Sequence, residues 1–135
     1  MSLQDAIIAV ILAEPGQAIQ GKLALRQRLY VLGGLVEEDF GFSDGWDGPY
    51  SFDVTVRRDG LVAMGFVEEL RRRCGVVEVY TYALTPDAEG YIQVREAEVD
   101  RYAAALERQD PFRRSEHVQG GWDGNGGGPR DVAGG

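Results

Sequence analysis

Between Phe66 and Leu84 the chain stops reading as a helix. "FVEELR" (66–71) and "VVEVYTYAL" (76–84) flank "RRCG", and the second run is dense in β-branched and aromatic residues, which fit a pleated, half-buried surface. Two such runs joined by a short glycine-containing turn read as a β-hairpin, with Arg72, Arg73 and Gly75 at its tip. The apolar periodicity on either side of it is helical. A chain of this pattern must bury one hairpin against helices, which makes the expected class α+β.

Three helices are expected before the hairpin. Leu3, Ile7, Val10 and Ile11 recur at helical spacing in a segment from Leu3 to Ala13, and Ser2 is placed to cap it. "EPGQ" at 14–17 ends that segment. From Lys22 onward, Leu25, Leu29, Leu32 and Val36 form one stripe of an amphipathic helix. Gly33 and Gly34 interrupt it at roughly 1 kcal/mol each relative to alanine, which points to tight helix-helix packing or early fraying. Residues 37–50 are acidic, glycine-rich and aromatic, the composition of a loop. Ser51 is then an N-cap after Pro49, and the third helix runs from Phe52 to Met64 with Gly65 just past its end.

After the hairpin, Thr85-Pro86 reads as a cap followed by a first-turn proline. One helix is expected from there to about Arg108, with Ile92, Val99, Tyr102 and Leu106 as its apolar stripe. That stripe fits either a short coiled-coil seam in a homodimer or packing on the chain's own first two helices. Glycine fills half of residues 120–135 and large apolar residues nearly vanish there. Residues 1–109 are therefore expected to form the domain and 110–135 a disordered tail.

Helix, helix, helix, hairpin, helix is the layout of a winged helix-turn-helix domain with a C-terminal helix. Its third helix is the usual recognition element and its hairpin the wing. "KLALRQRLYVL" (22–32), "GPYS" (48–51), "GLVAMGFVEE" (60–69) and "YTYALT" (80–85), in that order, resemble the YwgA family. Those are small winged-helix-like proteins of poorly defined function. More distantly the chain is similar to Panacea-type antitoxin domains, which share Gly-Pro before a helix. The resemblance covers roughly residues 5–92. The family's Thr-x-x-Gly spacing is stretched here between Thr85 and Gly90, and Trp46-Asp47 stands where the family carries another aromatic or a histidine. The resemblance implies a winged-helix fold.

Charge separates two functional readings. The basic residues cluster: Arg57 and Arg58 lie on the third helix, Arg71, Arg72 and Arg73 at the hairpin, and Lys22 and Arg26 at the start of the second helix. Guanidinium forks match phosphate oxygens, so these seven are the candidate contacts of a DNA-binding transcriptional regulator on double-stranded DNA. Against that, the formal net charge is -8, and acidic residues outnumber basic ones twelve to eight in residues 1–84. Carboxylates on or before the third helix would repel a duplex. Phe52, Val56 and Ala63 also form a second apolar face on that helix, opposite Val54, Leu61 and Met64. An exposed apolar strip marks a protein surface more often. The alternative is a protein-interaction module, antitoxin-like or a complex subunit, whose partner meets Trp46, Tyr50, Phe52 and Val56.

Other classes find little support. His117 is the only histidine and lies near the tail, away from any candidate nucleophile, so no enzyme is expected. Cys74 is the only cysteine, which rules out an internal disulfide, and the spacing of acidic residues suggests no metal and no cofactor. The apolar run 6–13 is too short to span a bilayer and follows Asp5 rather than a basic segment. Neither a membrane association nor a signal peptide is expected, and the location expected by default is cytoplasmic. "GWDG" occurs at 45–48 and again at 121–124. Trp46 is expected to be at least half buried, holding the start of the third helix, and Trp122 exposed or disordered.

Overall fold

The structure, a computed structural model, describes residues 2–109. It is a mixed α+β fold in which one apolar helix sits at the centre. That helix, α1 (Leu3–Leu12), is capped by Ser2, whose Oγ accepts from the Asp5 amide. Leu3 and every residue from Asp5 to Ile11 are buried. A helix apolar on all sides belongs inside, and the other helices and the sheet pack around it.

A 3-10 turn over Pro15–Gln17 follows, with Gly16 at φ +70°. It delivers a strand that the sequence pattern did not reveal, β1 (Ala18–Gln20). Three residues are too few to show a period. Next comes α2 (Lys22–Val36), which buries Leu25, Leu29 and Leu32. It ends with Glu37 in the left-handed region, and the amides of Glu37 and Glu38 both donate to the Gly33 carbonyl. Gly33 serves this returning loop rather than helix-helix packing. A Cβ there would lie 3.1 Å from the Glu38 carbonyl oxygen and 3.2 Å from the Phe40 ring.

The expected loop at 37–50 contains a small hairpin, β2 (Ser43–Gly45) and β3 (Gly48–Tyr50), turning at Trp46-Asp47. The third helix, α3 (Phe52–Ala63), starts as expected at Ser51, whose Oγ accepts from the Val54 amide. The same hydroxyl donates to the Phe40 carbonyl at 2.7 Å, which ties the loop to the helix start. Gly65, at φ +85°, turns the chain out of α3.

The main hairpin is β4 (Val67–Cys74) against β5 (Val77–Leu84), and β1 lies antiparallel on the other side of β5. The sheet order is β1-β5-β4. The hairpin is longer than the sequence suggested. Cys74 pairs with Val77, so only Gly75 and Val76 turn, with Gly75 at φ +66°. A glycine at the first turn position allows this tight connection. Arg72, Arg73 and Cys74 are accordingly strand residues, not the tip.

The single helix expected after Thr85 is two: α4 (Ala88–Val94) and α5 (Glu96–Gln109). Thr85 does not cap either. Its hydroxyl donates to the Gly65 carbonyl instead. The helices break at Arg95, which takes φ -107° and ψ 25° and reaches the buried Asp5. On α5, Val99 and Tyr102 are buried, while Ile92 of α4 and Leu106 are partly so. The stripe packs on α1 and α2 of its own chain, which leaves no seam there for a homodimer. The proposed tail at 110–135 and Trp122 lie outside the described residues. Among the described residues no helix is long and apolar enough to cross a membrane.

Candidate functional site

The site candidates surround α3, whose orientation follows from its own sequence. Val54, Arg58 and Leu61 stand at i, i+4 and i+7 and are the buried residues of the helix. Arg58 therefore points inward. It is 8 % exposed, its guanidinium lies 5.2 Å from the Tyr82 ring centre, and it pairs with Asp59 at 3.1 Å. It is withdrawn from any duplex, a correction that its place between Val54 and Leu61 explains. Tyr82 is fully buried, and its hydroxyl donates to Glu69 at 2.7 Å. Burial and that carboxylate push its phenol well above the ordinary tyrosine value.

Arg26 is a second correction. Its side chain is only 16 % exposed, lies over the Tyr50 ring and meets Asp47 at 3.0 Å. The contact is an ion pair without hydrogen-bond alignment, since Nε and Nη2 are buried with no acceptor in line. Arg26 thus props the small hairpin against α2 and does not face outward as a phosphate contact.

The remaining basic candidates are exposed but scattered. Lys22 places its ammonium 4.0 Å over the Tyr80 ring. Arg71 lies 4.0 Å from Glu78, a carboxylate that helps to raise its pKa after the larger effect of the Tyr80 hydroxyl. Arg72 projects from the opposite face of the hairpin, because side chains alternate along a strand and Arg72 faces Val79 while Arg71 faces Tyr80. Arg57 is exposed on α3 but shares an open cleft of about 310 Å³ with Asp39 and Asp53, over Leu3 and Phe40. Two carboxylates beside one guanidinium do not make a phosphate site. The seven expected cations therefore form no single basic face.

The four apolar candidates are all exposed. Phe52 is 66 % and Val56 46 % exposed, one helical turn apart on the outward side of α3. Tyr50 is partly covered by Arg26. Trp46 corrects the expectation of burial, for it is 98 % exposed. It occupies the first turn position of a two-residue hairpin, and Asp47, not Trp46, is the residue held down, by Arg26.

Two polar clusters that the sequence reading missed hold this frame in place. Asp5 accepts from the Tyr91 hydroxyl at 2.6 Å and from Arg95 at 2.8 Å. Burial pushes its carboxyl up, but the bonds from Arg95 and Tyr91 outweigh that and hold it below the ordinary value. Glu38 accepts from the Tyr102 hydroxyl at 2.6 Å and from Arg101 at 2.8 Å. Those bonds likewise overcome its burial and lower it. A lone aspartate ahead of eight consecutive apolar residues, 6–13, was the available signal for the first cluster. Among the described residues no group of three or more His, Cys, Asp or Glu is placed to hold a metal. No protein family, curated protein or solved structure matches the chain.

Proposed function

We propose that this chain is a winged-helix protein-interaction module that docks a partner on the outward face of α3 and the hairpin leading into it. The element order α1-β1-α2-β2-β3-α3-β4-β5, in which the small β2-β3 hairpin is inserted between α2 and α3, and the main sheet order β1-β5-β4 support the winged-helix reading. The observation that carries the docking reading is the exposure of Phe52 and Val56 one turn apart on the helix that a winged-helix protein turns towards its target. Asp39 and Asp53 in the adjoining cleft, and exposed Asp44 on the small hairpin, set the chemistry of the partner. It is a protein segment with apolar residues next to Lys or Arg. Charge complementarity of this kind speeds encounter and selects among partners.

Co-purification tests the reading. A partner retained by the full chain should be lost with Phe52→Asp, which changes an exposed residue and leaves the fold intact. It should survive replacement of Arg57, Arg72 and Arg73 by alanine. The opposite pattern contradicts the proposal. Arg72 and Arg73 favour a second reading, a duplex gripped by the wing, because they are exposed and form no ion pair among the described residues. Salt-dependent binding to duplex DNA near micromolar concentrations, lost with the same three substitutions, is what that reading requires.

A further inference from the structure

Strand β4 is an edge. The sheet order leaves one side of it unpaired, and every residue from Glu68 to Cys74 is exposed. Unpaired edges are sites of strand addition unless something blunts them. The main-chain groups on the open side can be assigned. A two-residue turn closes on a hydrogen-bonded pair, here Cys74 and Val77. Alternation then turns the groups of Arg72, Leu70 and Glu68 towards β5, and those of Val67, Glu69, Arg71 and Arg73 outward. An independent bond agrees. Tyr80, opposite Arg71, accepts at its carbonyl from the Gly21 amide on the far side of β5. A pair whose groups face away from each other leaves those of Arg71 on the open edge.

The side chains on this edge read Glu68, Glu69, Leu70, Arg71, Arg72. The charges invert about Leu70. We infer that β4 pairs antiparallel with β4 of a second copy of this chain, about a two-fold axis through Leu70 and perpendicular to the sheet. In that register Glu69 faces Arg71 of the second copy and Arg71 faces its Glu69, within hydrogen-bonded pairs. Glu68 faces Arg72 and Arg72 faces Glu68 on the other face of the sheet. Leu70, 47 % exposed in the single chain, meets its own copy at the axis. Opposite charges directly across a ladder attract and like charges repel. A slip of two residues either way puts Arg71 against Arg71 or Glu69 against Glu69. Only the register centred on Leu70 pairs Glu68, Glu69, Arg71 and Arg72 with their opposites, while Arg73, the fifth charged residue of the strand, faces Val67. The two three-stranded sheets join into one.

Charge reversal in two halves tests this. Glu68→Arg with Glu69→Arg makes positions 68, 69, 71 and 72 all basic, and Arg71→Glu with Arg72→Glu makes those four positions all acidic. All four residues are exposed, and circular dichroism checks that each variant is folded. By sedimentation at low salt the native full chain should be a dimer whose dissociation constant rises at least about tenfold at high salt. Each double variant alone should be a monomer, and the two mixed should form a heterodimer. The quadruple variant, with the pattern inverted, should again self-associate. In a Cys74→Ser background, Leu70→Cys should form an intermolecular disulfide under mild oxidation, since the two positions face each other at the axis. A native chain that stays monomeric at low salt overturns the inference. So does a dimer that both double variants retain, or a mixture that does not associate.

Discussion

Arg95 reaches across from the break between α4 and α5 to place Nη2 2.8 Å from Asp5 Oδ2. The carboxylate is completely buried, while the guanidinium is nearly half exposed. The pair bonds the first turn of the central helix to the last two helices, with Tyr91 as a second donor. A buried carboxylate deprived of its partners is costly, because desolvation then stands uncompensated. Arg95→Ala should therefore lower the urea midpoint more than Arg71→Ala, whose ion pair is exposed and stretched to 4.0 Å. Equal effects would mean that the buried carboxylate does not need Arg95.

The same groups set the pH response. Asp5 and Glu38 have folded pKa values below their ordinary 3.8 and 4.5. Their contribution to stability is complete above those ordinary values and is lost as pH falls through the lower, folded ones. Burial and the bonded carboxylates push Tyr91 and Tyr102 up to about 12. Their contribution is complete below about 10 and is lost as pH rises from there to about 12. Thermal melts should give a plateau through neutral pH with two flanks. With Tyr102→Phe the alkaline flank should shrink, and its persistence at full size would assign it to other groups.

Adjacent glycines on α2 should respond in opposite directions. Gly33→Ala forces a methyl against the Glu38 carbonyl and the Phe40 ring, and should cost about 1–3 kcal/mol. Gly34→Ala meets nothing within 4 Å and should gain about 0.5–1 kcal/mol from helix propensity. Chemical denaturation of the two single variants measures both. Stabilisation by Gly33→Ala would show that the returning loop does not pack as described.

The neighbouring arginines of α3 make a similar contrast. Arg58→Ala removes a nearly buried side chain from the Tyr82 ring and should cost about 1–2 kcal/mol. Arg57→Ala, on the exposed side, should change stability by no more than about 0.5 kcal/mol. Similar losses in the two unfolding curves would put Arg58 back on the surface.

Signals that act within a few residues were legible in the sequence. Ser2 and Ser51 cap the helices they precede, because their hydroxyls need only the amide three residues on. The long hairpin was visible from its β-branched run. What escaped was decided at a distance. The three residues of β1 become a strand only because Tyr82 and its neighbours on β5 wait for them. The break at Arg95 answers to Asp5, ninety residues away. Of the site residues, the exposed face of Phe52 and Val56 followed from helical periodicity alone. The burial of Arg58 was implicit in that same periodicity, since it lies between Val54 and Leu61. The ion pair that removes Arg26 was not, because Asp47 comes to it through a turn that no local pattern announced.

Photo-crosslinking in cells tests the docking account most directly. A benzophenone amino acid placed at Val56 should yield a discrete protein adduct, and Phe52→Asp should abolish it. The same probe at Arg72 should yield no nucleic-acid adduct. A nuclease-sensitive adduct from position 72, with none from position 56, would contradict the assignment of α3 to a protein partner.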